Sequence, residues 1–315
     1  MKKNRKSTEA TKSRVQKHAS NNWHKRLVYL LAKSHQFEEQ DNNEAITAIG
    51  SIYLDFAPKK LYRYRPASYG KCNNNLDLAA IKDEKIWFSR PKNFNDPFDC
   101  QFDYDIKSIA SSLLRKDADL MRLYSDSIED KMTIEEAINE SVETNKTDFY
   151  KQIALLKQNV AVACFCEKND SILMWGHYAD CHKGICIEYN LHDFPKELSF
   201  TPMPVLYSKK TAIFRGDISD DIIHEFYIKS LLTKSLDWAY EKEWRIVRNK
   251  AACGEDWKEK GALLKSVKPT AFYLGCEAED RIINDMKKIA KDLNCPLYQM
   301  KKAEWEYRLV SEIIE

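Results

Sequence analysis

Four short clusters of polar and aromatic residues have spacings that chemistry can use. The first is Tyr62, Arg63, Tyr64 and Arg65. Side chains alternate along a strand, so Tyr62 and Tyr64 share one face and Arg63 and Arg65 the other. A guanidinium donates paired hydrogen bonds to phosphate, and two arginines beside stacking rings can grip a phosphate and a flat base. An edge strand with rings inward and arginines in water has the same pattern. The second cluster is Trp87-Phe-Ser89 followed by Phe94-Asn-Asp-Pro-Phe-Asp99. Asp96 and Asp99 sit in a rigid turn. They can orient the arginines of the first cluster, or close the turn with their own side chains.

The third cluster is Met174-Trp-Gly-His-Tyr178, followed by His182, Gly184 and Glu188. His177 and Cys181 are four apart and share a helical face, with Cys164, Cys166 and Cys186 close in sequence. The spacing fits no paired-cysteine zinc pattern, so no metal is expected. His177 is read as a buried histidine that bonds the sheet or lines a pocket with Tyr178. The fourth cluster is Tyr240-Glu-Lys-Glu-Trp-Arg245. In a strand, Glu241, Glu243 and Arg245 share a face. They form either a surface ladder or a site in which Arg245 holds one carboxylate while the other works.

The elements that must position these clusters follow from periodicity. Leu61–Arg65 is aromatic-rich and stopped by Pro66, hence a strand. Leu76–Lys82 suits a helix and Lys85–Ser89 a strand. Val160–Cys166 is a continuous apolar run, the mark of a central buried strand. Ser171–Asp180 reads as a short helix, Gly184–Tyr189 and Pro204–Ser208 as strands, and Asp220–Ser235 as a helix capped by Ser219. Tyr240–Val247 and Thr270–Leu274 are strands, Glu279–Leu293 is an amphipathic helix, and Leu297–Leu309 holds one or two final strands. Strands do not alternate strictly with helices, so the expected class is α+β, with a central mixed or antiparallel sheet. Residues 1–20 are expected to be a basic disordered tail, 21–57 an N-terminal helical segment, and 58–315 an α+β domain. Residues 106–158 lack Gly and Pro and read as a helical insertion in that domain.

Of the 315 residues, 43% are hydrophobic and 31% charged, enough for a packed core under a charged surface. A net charge of +2 gives no global pull toward nucleic acid or membrane. Residues 1–26 are locally basic, with nine Lys and Arg against Glu9 alone. Such a tail can contact a polyanion or serve as a solubilising arm. No apolar run approaches the ~20 residues of a membrane span. Nine cysteines and no export signal point to reduced thiols in a cytoplasm.

Taken in order, Leu61-Tyr-Arg-Tyr-Arg65, Trp87-Phe-Ser89, the Asn-Asp-Pro turn, Met174-Trp-Gly-His-Tyr178, His182-Lys-Gly-Ile-Cys-Ile-Glu188 and the fourth cluster resemble a bacterial family. It is known as domain of unknown function twenty-nine seventy-one. The resemblance runs from about residue 61 to residue 275 and implies a bacterial cytoplasmic protein. It implies no reaction. Arginine on a first strand, Phe-Ser on a second and Glu-x-Glu on a late strand are also similar to ADP-ribosyltransferases. That likeness implies that Arg63 or Arg65 holds NAD as a substrate, and that Ser89 shapes the nicotinamide pocket. It also implies that Glu243 bonds the nicotinamide ribose and that Glu241 faces a protein or nucleic-acid acceptor. Tyr62, Tyr64 or Trp87 would stack on nicotinamide. A carboxylate at the ribose stabilises the oxocarbenium-like centre left when the glycosidic bond breaks. The expectation is therefore an NAD-consuming enzyme, a toxin or phage-defence effector. Two alternatives stay open: a non-enzymatic nucleotide or nucleic-acid sensor, and a metal-dependent hydrolase or nuclease.

Overall fold

The computed structural model describes residues 23–33, 50–52, 55–70, 74–105, 107–109, 111–112, 136, 151, 155, 157–195, 201–215 and 220–314. The basic tail, Ser219 and most of 106–158 lie outside them. In chain order the elements are α1 (Trp23–Lys33), β1 (Lys60–Arg65), α2 (Leu76–Lys82), β2 (Lys85–Ser89), β3 (Phe102–Tyr104), β4 (Val160–Cys166), α3 (Ile172–Tyr178) and β5 (Ile185–Asn190). Then follow β6 (Met203–Pro204), β7 (Leu206–Ser208), β8 (Ala212–Phe214), α4 (Asp220–Leu231), β9 (Thr233–Ser235), β10 (Glu243–Asn249) and α5 (Lys250–Cys253). The chain closes with β11 (Gly261–Lys265), β12 (Ala271–Leu274), α6 (Asp280–Asp292), β13 (Leu297–Lys302) and β14 (Leu309–Ile313). The class is α+β. No helix among the described residues is long and apolar enough to cross a membrane.

Two compact units divide the chain. One comprises Met1–Ala57, Asp96–Gln158 and Leu206–Leu236, and the other Pro58–Asn95, Asn159–Val205 and Asp237–Glu315. In the first, α1 packs on α4. Two parallel strand pairs, β3 with β8 and β7 with β9, also belong to it. The helix expected over Asp220–Ser235 stops at Leu231. Leu232 N–H bonds back to the Ile228 and Lys229 carbonyls, and Thr233–Ser235 then leaves as β9. Its partner, β7, is the second half of the segment read as one strand over Pro204–Ser208.

The second unit holds a ten-stranded mixed sheet in the order β11-β2-β4-β1-β5-β12-β13-β14, with β10 also on β4 and β6 on β10. Within this sheet, among the described residues, only β12 and β13 pair in parallel. The apolar run of β4 explains its central place. Its seven residues pair with β10 along one whole edge, Val160 opposite Asn249 through Cys166 opposite Glu243. Its other edge is shared. Cys166 pairs with Tyr62 of β1, while Val162 pairs with Ser89 of β2. The sheet therefore forks along that edge, and β1 and β2 part company there.

Helices are capped where the sequence supplies the groups. Asn75 opens α2 by accepting from Leu78 N–H at 3.1 Å. Ser171 opens α3 in the same way by accepting from Met174 N–H. The amphipathic α6 buries Ile282, Met286 and Ile289, and packs on β12, β13 and α2. Burying each such side chain contributes roughly 1.5–3 kcal/mol.

Candidate functional site

Residues paired across neighbouring strands project to the same face of a sheet. One continuous row therefore runs across five strands of the second unit: Glu243, Cys166, Tyr62, Glu188 and Ala271. The row beyond carries Arg245 opposite Cys164, and Cys186 between Tyr64 and Tyr273. Polar and thiol side chains thus gather on one face. The opposite face presents Leu61, Phe165, Ile187, Trp244 and Phe272, all buried. Over the polar face α3 lays Met174 and Trp175, making a small core with Tyr64, Cys166, Cys186 and Tyr273. Half-buried Tyr62, Tyr178 and Tyr240 pack around it.

Three carboxylates are buried here, each with its own donors. Glu243 receives Arg245 Nε at 2.8 Å and Nη2 at 2.9 Å, a bidentate pair in which Arg245 has no exposed surface. Phe94 lies under the guanidinium, 5.6 Å from ring centre to Cζ. Glu241 accepts from the Tyr178 hydroxyl at 2.5 Å. Glu188 accepts from Tyr273 at 2.8 Å and Thr270 at 2.9 Å, and Lys60 Nζ lies 2.9 Å from it. Burial, and then Glu188, push the Tyr62 hydroxyl well above its ordinary pKa. Burial likewise pushes the Cys166 thiol up, and Glu241 and Glu243 add to the effect. Among the described residues, no group of three or more His, Cys, Asp and Glu side chains is arranged to hold a metal ion.

Beside Glu241 stands an aromatic triangle. Ring centres of Trp238 and Tyr240 are 6.0 Å apart, and His177 lies 6.5 Å from the first and 6.3 Å from the second. Trp238, Tyr240 and Glu241 come from one 3-10 turn, Leu236–Glu241. His177 and Tyr178 come from the last turn of α3. The faces of Trp238 and Tyr240, next to a carboxylate, attract a flat cationic ring.

Several expected site residues stand elsewhere or in a setting other than the expected one. Arg63 is on the face opposite Glu243. Its guanidinium donates to the carbonyls of Trp87 at 2.5 Å and Cys164 at 3.4 Å, over the Phe165 ring. Burial draws its pKa down to about 10. Arg65 is bound to Asp77, 2.6 Å from Nη2 and 2.7 Å from Nε. Tyr64 is core, its hydroxyl on the Lys168 carbonyl and its ring edge-on to Trp175. Trp87 and Ser89 lie on β2, whose last residue pairs with Val162 and Gly261. Asp96 belongs to the first unit and caps its own turn by accepting from Phe98 N–H at 2.8 Å. His177 is exposed rather than buried, because the apolar side of α3 is taken by Met174 and Trp175. Glu241 does not share a strand with Glu243. Lys242, with a left-handed φ of 46°, separates the 3-10 turn, which ends at Glu241, from β10, which begins at Glu243.

The site also contains residues that the clusters did not put forward as ligands. Arg245 is one, although the fourth cluster admitted its clamp on a carboxylate. Glu188, Tyr273, Thr270 and Trp238 are the others. The available signal for Glu188 was a lone acidic residue in the apolar run Ile185–Tyr189, which demands buried donors.

Residues 174–246 match the family model described as Protein of unknown function (DUF2971). This stretch contains α3 from Met174 onward, β5, the aromatic triangle, Glu188, Glu241, Glu243 and Arg245. No curated protein and no solved structure matches the chain.

Proposed function

We propose that the polar face binds NAD and breaks its nicotinamide–ribose bond, with Glu241 and Glu243 beside the ribose. The observation that carries this reading is the hydrogen bond from Tyr178 to Glu241, which ties α3, with His177, to the turn that carries Trp238, Tyr240 and Glu241. The nicotinamide ring of NAD is flat and cationic, and suits three rings next to a carboxylate. When the C1′–N bond breaks, its electron pair goes to the ring nitrogen. The positive charge moves to the ribose, where fixed carboxylates stabilise it. Arg245 holds Glu243 in one orientation and acts as a positioning residue. The acceptor, water or a protein or nucleic-acid nucleophile, bonds to C1′ and releases its proton to a carboxylate. Arg63 and Arg65 take no part in this version. All eight described cysteines are free thiols, which supports a cytoplasmic setting. There, NAD loss suits a toxin or phage-defence effector.

The test is incubation of the whole chain with NAD labelled in the nicotinamide, alone and with protein, DNA or RNA. Release of nicotinamide that Glu241→Gln and Glu243→Gln abolish supports the proposal. No release under any condition overturns it. A second reading, a nucleotide-binding module, draws on the donors already seated on Glu188, Glu241 and Glu243. It is told apart by ligand-induced stabilisation without turnover.

A further inference from the structure

The ten-stranded sheet is finished differently at β11 and at β14, the two ends of its main strand order. At β11 the chain partly covers its own edge, where Trp257 forms an antiparallel bridge to Ala262. At β14 the edge is bare. Ala303 N–H bonds to the Arg308 carbonyl, and Ile314 N–H to the Leu297 carbonyl, both at 2.9 Å. These pairs lie one step beyond either end of the β13–β14 register. Bonded and non-bonded pairs alternate along an antiparallel ladder. Val310 and Glu312 therefore turn their backbone groups to β13, while those of Leu309, Ser311 and Ile313 point away from it. Among the described residues no strand takes them up. Ser311 and Ile313 are exposed.

Nothing on β14 blunts this edge. Its register with β13 is regular over all five residues, and it holds no proline, lysine or bulge, the devices that keep an edge from pairing. Its one charge, Glu312, is held by Lys301 of β13 at 3.2 Å. The same hairpin displays apolar surface. Trp305 and Tyr307, in its turn, are fully exposed, and Ile313 on β14 is 65% exposed.

We propose that β14 pairs with β14 of a second copy of this chain, joining two sheets edge to edge in an antiparallel dimer, independently of any NAD chemistry. A two-fold axis at Ser311 sets Leu309 against Ile313 of the second copy, Ser311 against its own counterpart, and Ile313 against Leu309. Each of these pairs exchanges both backbone bonds, so every outward-facing group of the strand is used. The neighbouring registers are poorer. An axis at Glu312 sets two carboxylates directly opposite each other, and one at Val310 leaves Ile313 beyond the paired part of β14. With the axis at Ser311, Glu312 lies opposite Val310 and keeps its own Lys301. The start of one β14 also meets the end of the other. Trp305 and Tyr307 of one copy thus come beside Ile313 of the second, which gives the exposed rings an apolar neighbour.

The experiment is sedimentation of the whole chain over a concentration series up to about 100 µM, beside two variants. Ser311→Pro removes an N–H that faces away from β13, so the inner ladder survives and the outer one does not. Ser311→Lys keeps that N–H but sets two like charges opposite each other at the axis. A thermal melt checks that both fold. The expected result is a dimer in the parent, with a dissociation constant at least ten-fold higher in each variant. Ser311→Cys reads the register, since mild oxidation should yield a disulfide between the two copies' positions 311, mapped by mass spectrometry. A parent chain that stays monomeric, alone or with an extended segment of another protein on β14, overturns the proposal. So does a dimer that Ser311→Pro and Ser311→Lys leave unchanged, or one in which positions 311 do not cross-link.

Discussion

Arg63 donates to the carbonyl of Trp87 at 2.5 Å, across the gap where β1 and β2 separate along β4. A second bond reaches the carbonyl of Cys164, which lies between the two pairing points Val162 and Cys166. A forked sheet leaves backbone acceptors without a partner strand. One guanidinium supplies the missing donors, which accounts for an arginine buried where the register points it inward. Its loss should therefore be a stability effect. Arg63→Met should destabilise the protein by roughly 2–4 kcal/mol, since two buried acceptors lose their donors. Urea unfolding measures this, and nicotinamide release per folded molecule should stay within two-fold.

The Glu243–Arg245 pair makes a different prediction. Arg245→Met alone removes both donors that Arg245 places on the buried Glu243 carboxylate, at a cost of roughly 3–5 kcal/mol. Replacing both, Glu243→Leu with Arg245→Met, should recover most of that loss while activity remains abolished. A double-mutant cycle by urea unfolding, read beside NAD turnover, separates the structural from the chemical part.

The aromatic triangle should act on binding more than on bond breaking. Trp238→Ala should raise KM for NAD about ten-fold, equivalent to ~1.4 kcal/mol, with kcat within about three-fold. Tyr178→Phe, which removes the donor to Glu241, should lower kcat as well. Steady-state kinetics on both variants distinguish the two roles.

Alkaline pH should weaken the fold. Burial, then its bond to Asp285, push Tyr69 up to about 12. Tyr62, Tyr189 and Tyr273 move the same way, with burial the main cause. Such groups keep their protons in the folded state after the unfolded chain has begun to lose them. The stabilisation is complete below the ordinary tyrosine pKa of ~10 and is lost as pH rises above it. Arg63 opposes this, being drawn down to about 10 by burial, but it is one group against several. Urea midpoints from pH 8 to 11.5 should fall, and Tyr69→Phe should make the decline shallower.

Much of the second unit was legible because its signals are local. Leu76–Lys82, Lys85–Ser89 and Val160–Cys166 were readable to the residue from their local residue patterning. Short strands such as β3, β8 and β11 owe their form to partners remote in sequence, and no local pattern marks them. The Tyr–Arg alternation correctly separated Tyr62 from Arg63. Which face met the carboxylates depended on pairings with residues a hundred positions away. Glu188 was visible as an acidic residue in an apolar strand, yet its donor Tyr273 stands 85 residues further on. The turn at Lys242 had no signal, because lysine is not a residue that favours positive φ.

The row from Glu243 to Glu188 also has an order in time. A ribosome delivers Tyr62, Cys166 and Glu188 early, and β1, β4 and β5 can take their register before the rest emerges. Glu243 and Arg245 arrive last, and they must dock on an edge of β4 that has waited for them. A nascent chain halted short of residue 243 therefore presents the half-built face with neither the second carboxylate nor its clamp. Until residue 245 has emerged, that edge of β4 lacks the paired carboxylate and guanidinium that complete the row.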